Sequence, residues 1–221
     1  MAPAMLHTGS SFSWAPSQPD NPTESPVETV LWKAVTDKSW PRVLARLRTH
    51  PEEASQLVNG NGVSSLPLHE ACKVQPPDSV VRPLIAAYKK AVTIRGLESF
   101  LPLHFAVRFN STEAVIALLE DYPGGAGARD DKGRLPIHLG CQWGASADTI
   151  DRLLMIYPES IYVQDEESKV PMEYAETMEA SLVTKNSTLA LLECAPTYCA
   201  VTEAGKFPMC SFVTAFLLQL C

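Results

Sequence analysis

Leu66-Pro67-Leu68-His69-Glu70-Ala71 is repeated along this chain. It returns as Leu101-Pro102-Leu103-His104-Phe105-Ala106 and as Leu135-Pro136-Ile137-His138-Leu139-Gly140, then in altered form as Val170-Pro171-Met172-Glu173-Tyr174-Ala175. The starts lie 35, 34 and 35 residues apart. A fixed period of that size marks supersecondary units stacked in one direction rather than one globular core. In each copy the proline suits the first turn of a helix, where its missing N–H costs nothing. The small residue at the end of each copy (Ala71, Ala106, Gly140, Ala175) lets neighbouring helices approach closely. A second apolar stretch follows each of the first three copies: Val80-Val81 to Leu84-Ile85, Ala114-Val115 to Leu118-Leu119, and Ile150 to Leu153-Leu154. Apolar residues at i and i+3 or i+4 make these amphipathic helices. Tyr88, Tyr122 and Tyr157 close them at matched places, and Pro123 and Pro158 stop two of them. Each unit reads as helix, tight turn, helix and exposed loop, which predicts an all-α helix-turn-helix solenoid.

The motif resembles the ankyrin repeat, whose signature is T-P-L-H-x-A with a period of about 33. Leu or Val stands here where that family has Thr, so the capping hydroxyl is missing, and the period is longer. The resemblance runs over residues 26–194 and is clearest over 66–178. It implies an ankyrin-type stack of about five units, including an atypical N-terminal cap. It also implies a protein-binding module with no catalytic residue and no cofactor.

The composition suits that reading. The 221 residues are 46% apolar and 19% charged, with a net charge of −7. An acidic balance argues against nucleic acid as the main partner, which calls for clustered Lys and Arg. No Lys or Arg precedes Lys33. The amino terminus thus lacks the basic region of a secretory signal and the Arg of a transit peptide, leaving cytoplasm or nucleus as the expected compartment. A monomer is expected. Cys72 and Cys141 share one position in two repeats 69 residues apart. That is too far for a bridge, so both read as reduced core residues. Cys194 and Cys199 have neither CxxC spacing nor a matching His pair, so no zinc site is expected. Asn110-Ser111-Thr112 and Asn186-Ser187-Thr188 match the glycosylation pattern by chance, given the missing secretory signal.

Three segments follow from a pass along the chain. Residues 1–24, with four prolines among Ser and small residues, read as a disordered tail. Residues 25–194 form the repeat domain. Its first pair begins at the capping box Ser25-Pro26-Val27-Glu28, with Val27, Leu31, Ala34 and Val35 on one apolar face. Trp40-Pro41 opens the second helix of that pair, carrying Val43, Leu44 and Leu47. Repeat units follow at about 59–93, 94–128, 129–163 and 164–194. Residues 195–221 are an apolar segment with no charge from Phe207 onward. Three readings stay open for that segment: a helix docked on the open end of the stack, a truncated terminus, or a membrane anchor. Its last fifteen residues fall short of the ~20 that span a bilayer.

Catalytic chemistry finds little support. His69, His104 and His138 sit one repeat apart, roughly 10 Å by helix packing, so they cannot share one metal. Each reads as a residue that steadies its own repeat. His69-Glu70 fails as HExxH because Lys73 stands where the second His belongs. Gly124-Gly125-Ala126-Gly127 follows a helix and carries no Lys-Ser/Thr, so it reads as a flexible connector rather than a phosphate loop.

The positions that differ between copies carry the sharper signal. Val74, Phe109, Trp143 and Met178 end the four first helices, with Lys73, Arg108, Gln142 and Thr177 beside them. The resemblance implies that these places line a concave groove together with the loop tips. Those tips are Asn61-Gly62-Val63, Leu97-Glu98-Phe100, Asp131-Lys132-Arg134 and Glu166-Glu167-Lys169. An apolar strip flanked by charge suits protein binding, with aromatic and Arg anchors inside a polar rim. The expected partner-binding set is Lys73, Val74, Arg108, Phe109, Asp131, Lys132, Arg134, Gln142, Trp143 and Met178. Two other functions stay open: a membrane-associated scaffold held by 207–221, and a regulatory fragment of a larger enzyme.

Overall fold

The computed structural model describes residues 29–60, 63–179 and 181–194. The expectations for the tail 1–24, the Ser25 capping box, the tip Asn61-Gly62 and the segment 195–221 lie outside those residues. Among the described residues, five helix pairs form two rows. The first row is α1 (Val30–Thr36), α3 (Pro67–Lys73), α5 (Pro102–Arg108), α7 (Pro136–Trp143) and α9 (Pro171–Thr177), each packed on the next. The second row is α2 (Trp40–Thr49), α4 (Asp78–Ala87), α6 (Thr112–Asp121), α8 (Ala147–Ile156) and α10 (Leu182–Cys194). One apolar cluster runs through the stack from Leu31 to Leu192.

The repeated histidine explains why the first helices begin where they do. Leu66, Leu101 and Leu135 are the N-caps and have no side-chain oxygen to offer. His69, His104 and His138, three residues on, reach back instead. Each Nδ1 accepts the N-cap backbone N–H, at 3.2, 3.1 and 3.0 Å. Each Nε2–H then donates to a carbonyl at the unit junction: Ile94, Ala128 and Val163, at 3.0, 3.1 and 3.0 Å. Accepting at Nδ1 requires the neutral ring. In the fourth copy Glu173 keeps the first of these bonds, its carboxylate accepting the Val170 N–H at 2.8 Å. That bond is the Glu half of a capping box, so the exchange of His for Glu preserves the helix start.

Small residues set the spacing between rows. A Cβ on Gly140 would lie 2.8 Å from Ile150 Cδ1 and 3.2 Å from Val107 Cγ1. Helix α7 therefore approaches its neighbours more closely than a larger residue allows. Cys72 and Cys141 are buried in the same layer, and burial pushes both thiols up.

Helix α1 is capped by Thr29, whose Oγ1 accepts the Trp32 N–H at 3.0 Å. Three features differ from the expectation. The loop after each second helix is not simply exposed. It opens with a 3-10 turn: Pro51–Ser55, Lys89–Thr93, Pro123–Gly127 and Pro158–Tyr162. Gly124-Gly125-Ala126-Gly127 is therefore an ordered turn rather than a flexible connector. The Tyr122 ring lies over it, 3.2 Å from a Cβ built on Gly124 and 3.3 Å from one built on Gly125. Lastly, the helical stack carries one short antiparallel hairpin, β1 (Val58–Gly60) with β2 (Val63–Ser65).

The atypical first pair is tied by a buried carboxylate. Glu53 accepts the Leu31 N–H at 2.9 Å and Arg46 Nε–H at 2.9 Å. The Arg46 hydrogen bond holds the Glu53 carboxyl below its usual range against the cost of burial.

Candidate protein-binding surface

The turns that end the first helices are fixed by bonds from unit to unit. Gln75, Asn110 and Gly144 follow α3, α5 and α7 in the left-handed region, at φ 56°, 53° and 69°. The Gln75 amide donates to the Phe109 carbonyl at 3.0 Å. The Ser146 N–H donates to Asn110 Oδ1 at 2.9 Å, and Ser111 Oγ donates to the Cys72 carbonyl at 2.6 Å. These bonds hold the row Val74, Phe109 and Trp143 in register. Phe109 is 40% exposed and Trp143 52% exposed, whereas Val74 is half-buried against the core.

Arg108 lies between that row and the loop tips. Its guanidinium carbon is 4.8 Å from the Trp143 ring, 5.8 Å from Phe109 and 6.0 Å from Phe100. Its Nη1 is 3.8 Å from Glu98 Oε1, an ion pair beyond hydrogen-bond reach. A planar cation on an indole face is favourable and leaves its N–H donors at the edge. Lys73, one unit earlier, sits 4.9 Å over the Phe105 ring and 2.8 Å from Glu70.

The loop tips are locked to one another. Asp130 Oδ1 accepts the Lys132 and Arg134 N–H groups at 2.9 and 2.8 Å. Asp165, 35 residues later, accepts those of Glu167 and Lys169, both at 2.9 Å. The Asp131 N–H donates to the Glu98 carbonyl at 3.2 Å, and the Glu166 N–H to the Lys132 carbonyl at 3.0 Å. Arg95 bridges to the Arg129 carbonyl at 2.6 Å, and Arg129 bridges to the Gln164 carbonyl at 2.9 Å. The side chains of Asp131 and Lys132 stay exposed.

Three residues expected on this surface lie elsewhere. Arg134 is only 7% exposed. Asp130 Oδ2 accepts its Nε–H at 2.8 Å, and Gln142 Oε1 accepts from its Nη1 at 3.2 Å, so it braces the loop from inside. Met178 is 7% exposed and joins the core. Phe100, read as part of a loop tip, is fully buried and stacks on His104 at 5.3 Å. Gln142 is half-buried under Arg134. Lys73, Val74, Arg108, Phe109 and Trp143 fall along one edge of the first-helix row.

The sequence reading missed Arg95, Arg129, Asp130 and Asp165. Their signal was the same period. Arg95 and Arg129 stand six residues before Leu101 and Leu135, and Asp130 and Asp165 stand five before Leu135 and Val170.

Residues 84–139 match the family model for ankyrin repeats (many copies). Over that stretch the stack is similar to ankyrin repeats. The matched residues begin in α4, pass through the complete α5–α6 pair and end in α7, so the match falls on the middle of the stack. No curated protein matches the chain. Ankyrin repeats are generally protein–protein interaction modules. Among the described residues, no three His, Cys, Asp or Glu side chains are grouped to hold a metal ion, and no helix is long and apolar enough to cross a membrane.

Proposed function

We propose that this chain is a non-catalytic module that binds a protein partner on the concave face of its ankyrin stack. Trp143 and Phe109 are the apolar anchors, and Arg108 is the charged one. Lys73, Val74, Gln142, Asp131 and Lys132 form the surround. Arg134 serves from beneath by holding the Asp130 loop in shape. The observation that carries the proposal is the exposure of Trp143. A large indole at a place where the fourth repeat buries Met178 contributes little to the core, yet Arg108 and the Asn110 turn hold it in place. Rigid aromatic residues beside Arg are the side chains that most often dominate protein interfaces. The acidic net charge fits a protein partner better than nucleic acid. The protein acts as a monomer in the cytoplasm or nucleus.

The test compares proteins captured by the wild-type chain with those captured by Trp143→Ala, using Arg152→Ala on the other helix row as control. Binders retained by Arg152→Ala are expected to be lost from Trp143→Ala. With a purified binder the affinity is expected to fall about 30-fold, roughly 2 kcal/mol. Equal capture by all three chains rejects the proposal.

A further inference from the structure

Among the described residues, the last repeat leaves an apolar groove open. It encloses about 320 Å³ and is lined by Ile161, Tyr162, Val170, Met172, Leu192 and Glu193. Matched positions in the interior repeats show what is missing. Leu101 and Leu103, like Leu135 and Ile137, are 3% exposed or less. Val170 and Met172 occupy the same two places in the fourth repeat and are only half-buried, with Tyr162 at the rim 64% exposed. At the other end of the stack the α1–α2 pair covers the first full repeat. Terminal repeats need a cover with a polar outer face, because each repeat buries its apolar side only against a neighbour.

We propose that residues 207–221 of the same chain occupy this groove and serve as the C-terminal cover of the stack. Helix α10 ends at Cys194, and its last turn supplies Leu192 and Glu193 to the groove wall, so the chain departs beside the site. The twelve residues 195–206 reach up to about 40 Å, more than enough to return. Phe212, Phe216 and Leu220 recur every fourth residue, the spacing of one helix face, with Thr214 and Gln219 as the polar residues between. The segment carries no charge, and Glu193 is the one charged residue of the groove lining. A tether this short gives an effective concentration near millimolar, so a modest apolar contact suffices to hold the segment in place.

The experiment is amide hydrogen exchange on the full chain and on the full-length double variant Phe216→Asp/Leu217→Asp, each at two protein concentrations. The groove-lining stretches 161–172 and 189–193 are expected to exchange at least tenfold faster in the variant. Wild-type rates are expected to be the same at both concentrations. A benzophenone amino acid in place of Tyr162 should cross-link to residues 207–221 within one chain. Unchanged exchange in the variant overturns the proposal. So does protection that grows with concentration together with cross-links between chains, which makes the groove a contact between two copies. Sedimentation of the wild-type chain with anionic phospholipid vesicles, lost in the variant, also overturns it, because the segment then belongs to a membrane. None of these outcomes depends on Trp143, so the binding proposal stands or falls separately.

Discussion

His69, His104 and His138 each use both ring nitrogens on backbone groups, and that use makes the fold sensitive to acid. Burial drives the His69 and His104 rings down to about 4 and lowers His138 as well. A ring whose folded value lies below its unfolded value binds fewer protons when folded, so its contribution is complete above about pH 6.5 and lost as pH falls toward 4. His69 and His104 each stand to lose on the order of 3 kcal/mol across that window. Urea unfolding at pH 7 and pH 4.5 checks this, and the midpoint is expected to fall at the lower pH. The structural role of these residues was legible because the same ring returned three times at a fixed spacing. The burial of Arg134 was not legible. In sequence it is one more charge in the polar tip Asp131-Lys132-Gly133-Arg134, and only the fold shows that Asp130 turns inward to pair with it. Removing that partner leaves the buried guanidinium only the Gln142 bond and the longer 3.8 Å ion pair with Glu98, so Asp130→Ala is expected to cost about 2–3 kcal/mol in the same assay. Met178 misled in a related way, since matched position suggested exposure and an adjoining apolar layer buried it.

Helices of the first row were readable because proline, N3 histidine and a small residue each mark a definite helical position. The second helices were readable from apolar spacing alone. The 3-10 turns escaped notice because their four copies share little beyond a proline in three of them: Pro51-Glu52-Glu53-Ala54, Lys89-Lys90-Ala91-Val92, Pro123-Gly124-Gly125-Ala126 and Pro158-Glu159-Ser160-Ile161. Their common feature is conformational. His50, Tyr88, Tyr122 and Tyr157 enter them at φ −140°, −146°, −138° and −138°. The added turn is part of why a unit runs 34 or 35 residues. Beyond it, Arg95 and Arg129 lace one loop to the next through backbone carbonyls on the exposed side. Arg129→Ala is expected to speed amide exchange across residues 164–169 several-fold. The global cost should be no more than about 1 kcal/mol, since the bonds lost are solvent-accessible. Uniform acceleration through the whole chain would show that the loop ladder sets overall stability instead.

Taken whole, the molecule divides its labour by whether a residue repeats. Residues that recur (Pro67, Pro102, Pro136, Pro171; His69, His104, His138; the small residues behind them) fix the period and bury the core. Residues that change from copy to copy, Lys73-Val74, Arg108-Phe109 and Gln142-Trp143, fall along one edge of the stack. Stability in such a stack is close to a sum over units and their contacts, so a change in one framework residue spreads only to adjacent repeats. A surface anchor should have little effect on it. The most direct test of that division is parallel thermal unfolding of wild type, His104→Leu and Trp143→Ala. His104→Leu leaves the buried Leu101 N–H and the half-buried Ala128 carbonyl without their partner, at a cost of about 2–4 kcal/mol. Its Tm should drop by roughly 5–12 °C. Trp143→Ala should melt within about 2 °C of wild type. A Trp143→Ala chain that melts as low as His104→Leu would place the indole in the framework and contradict its assignment as a binding anchor.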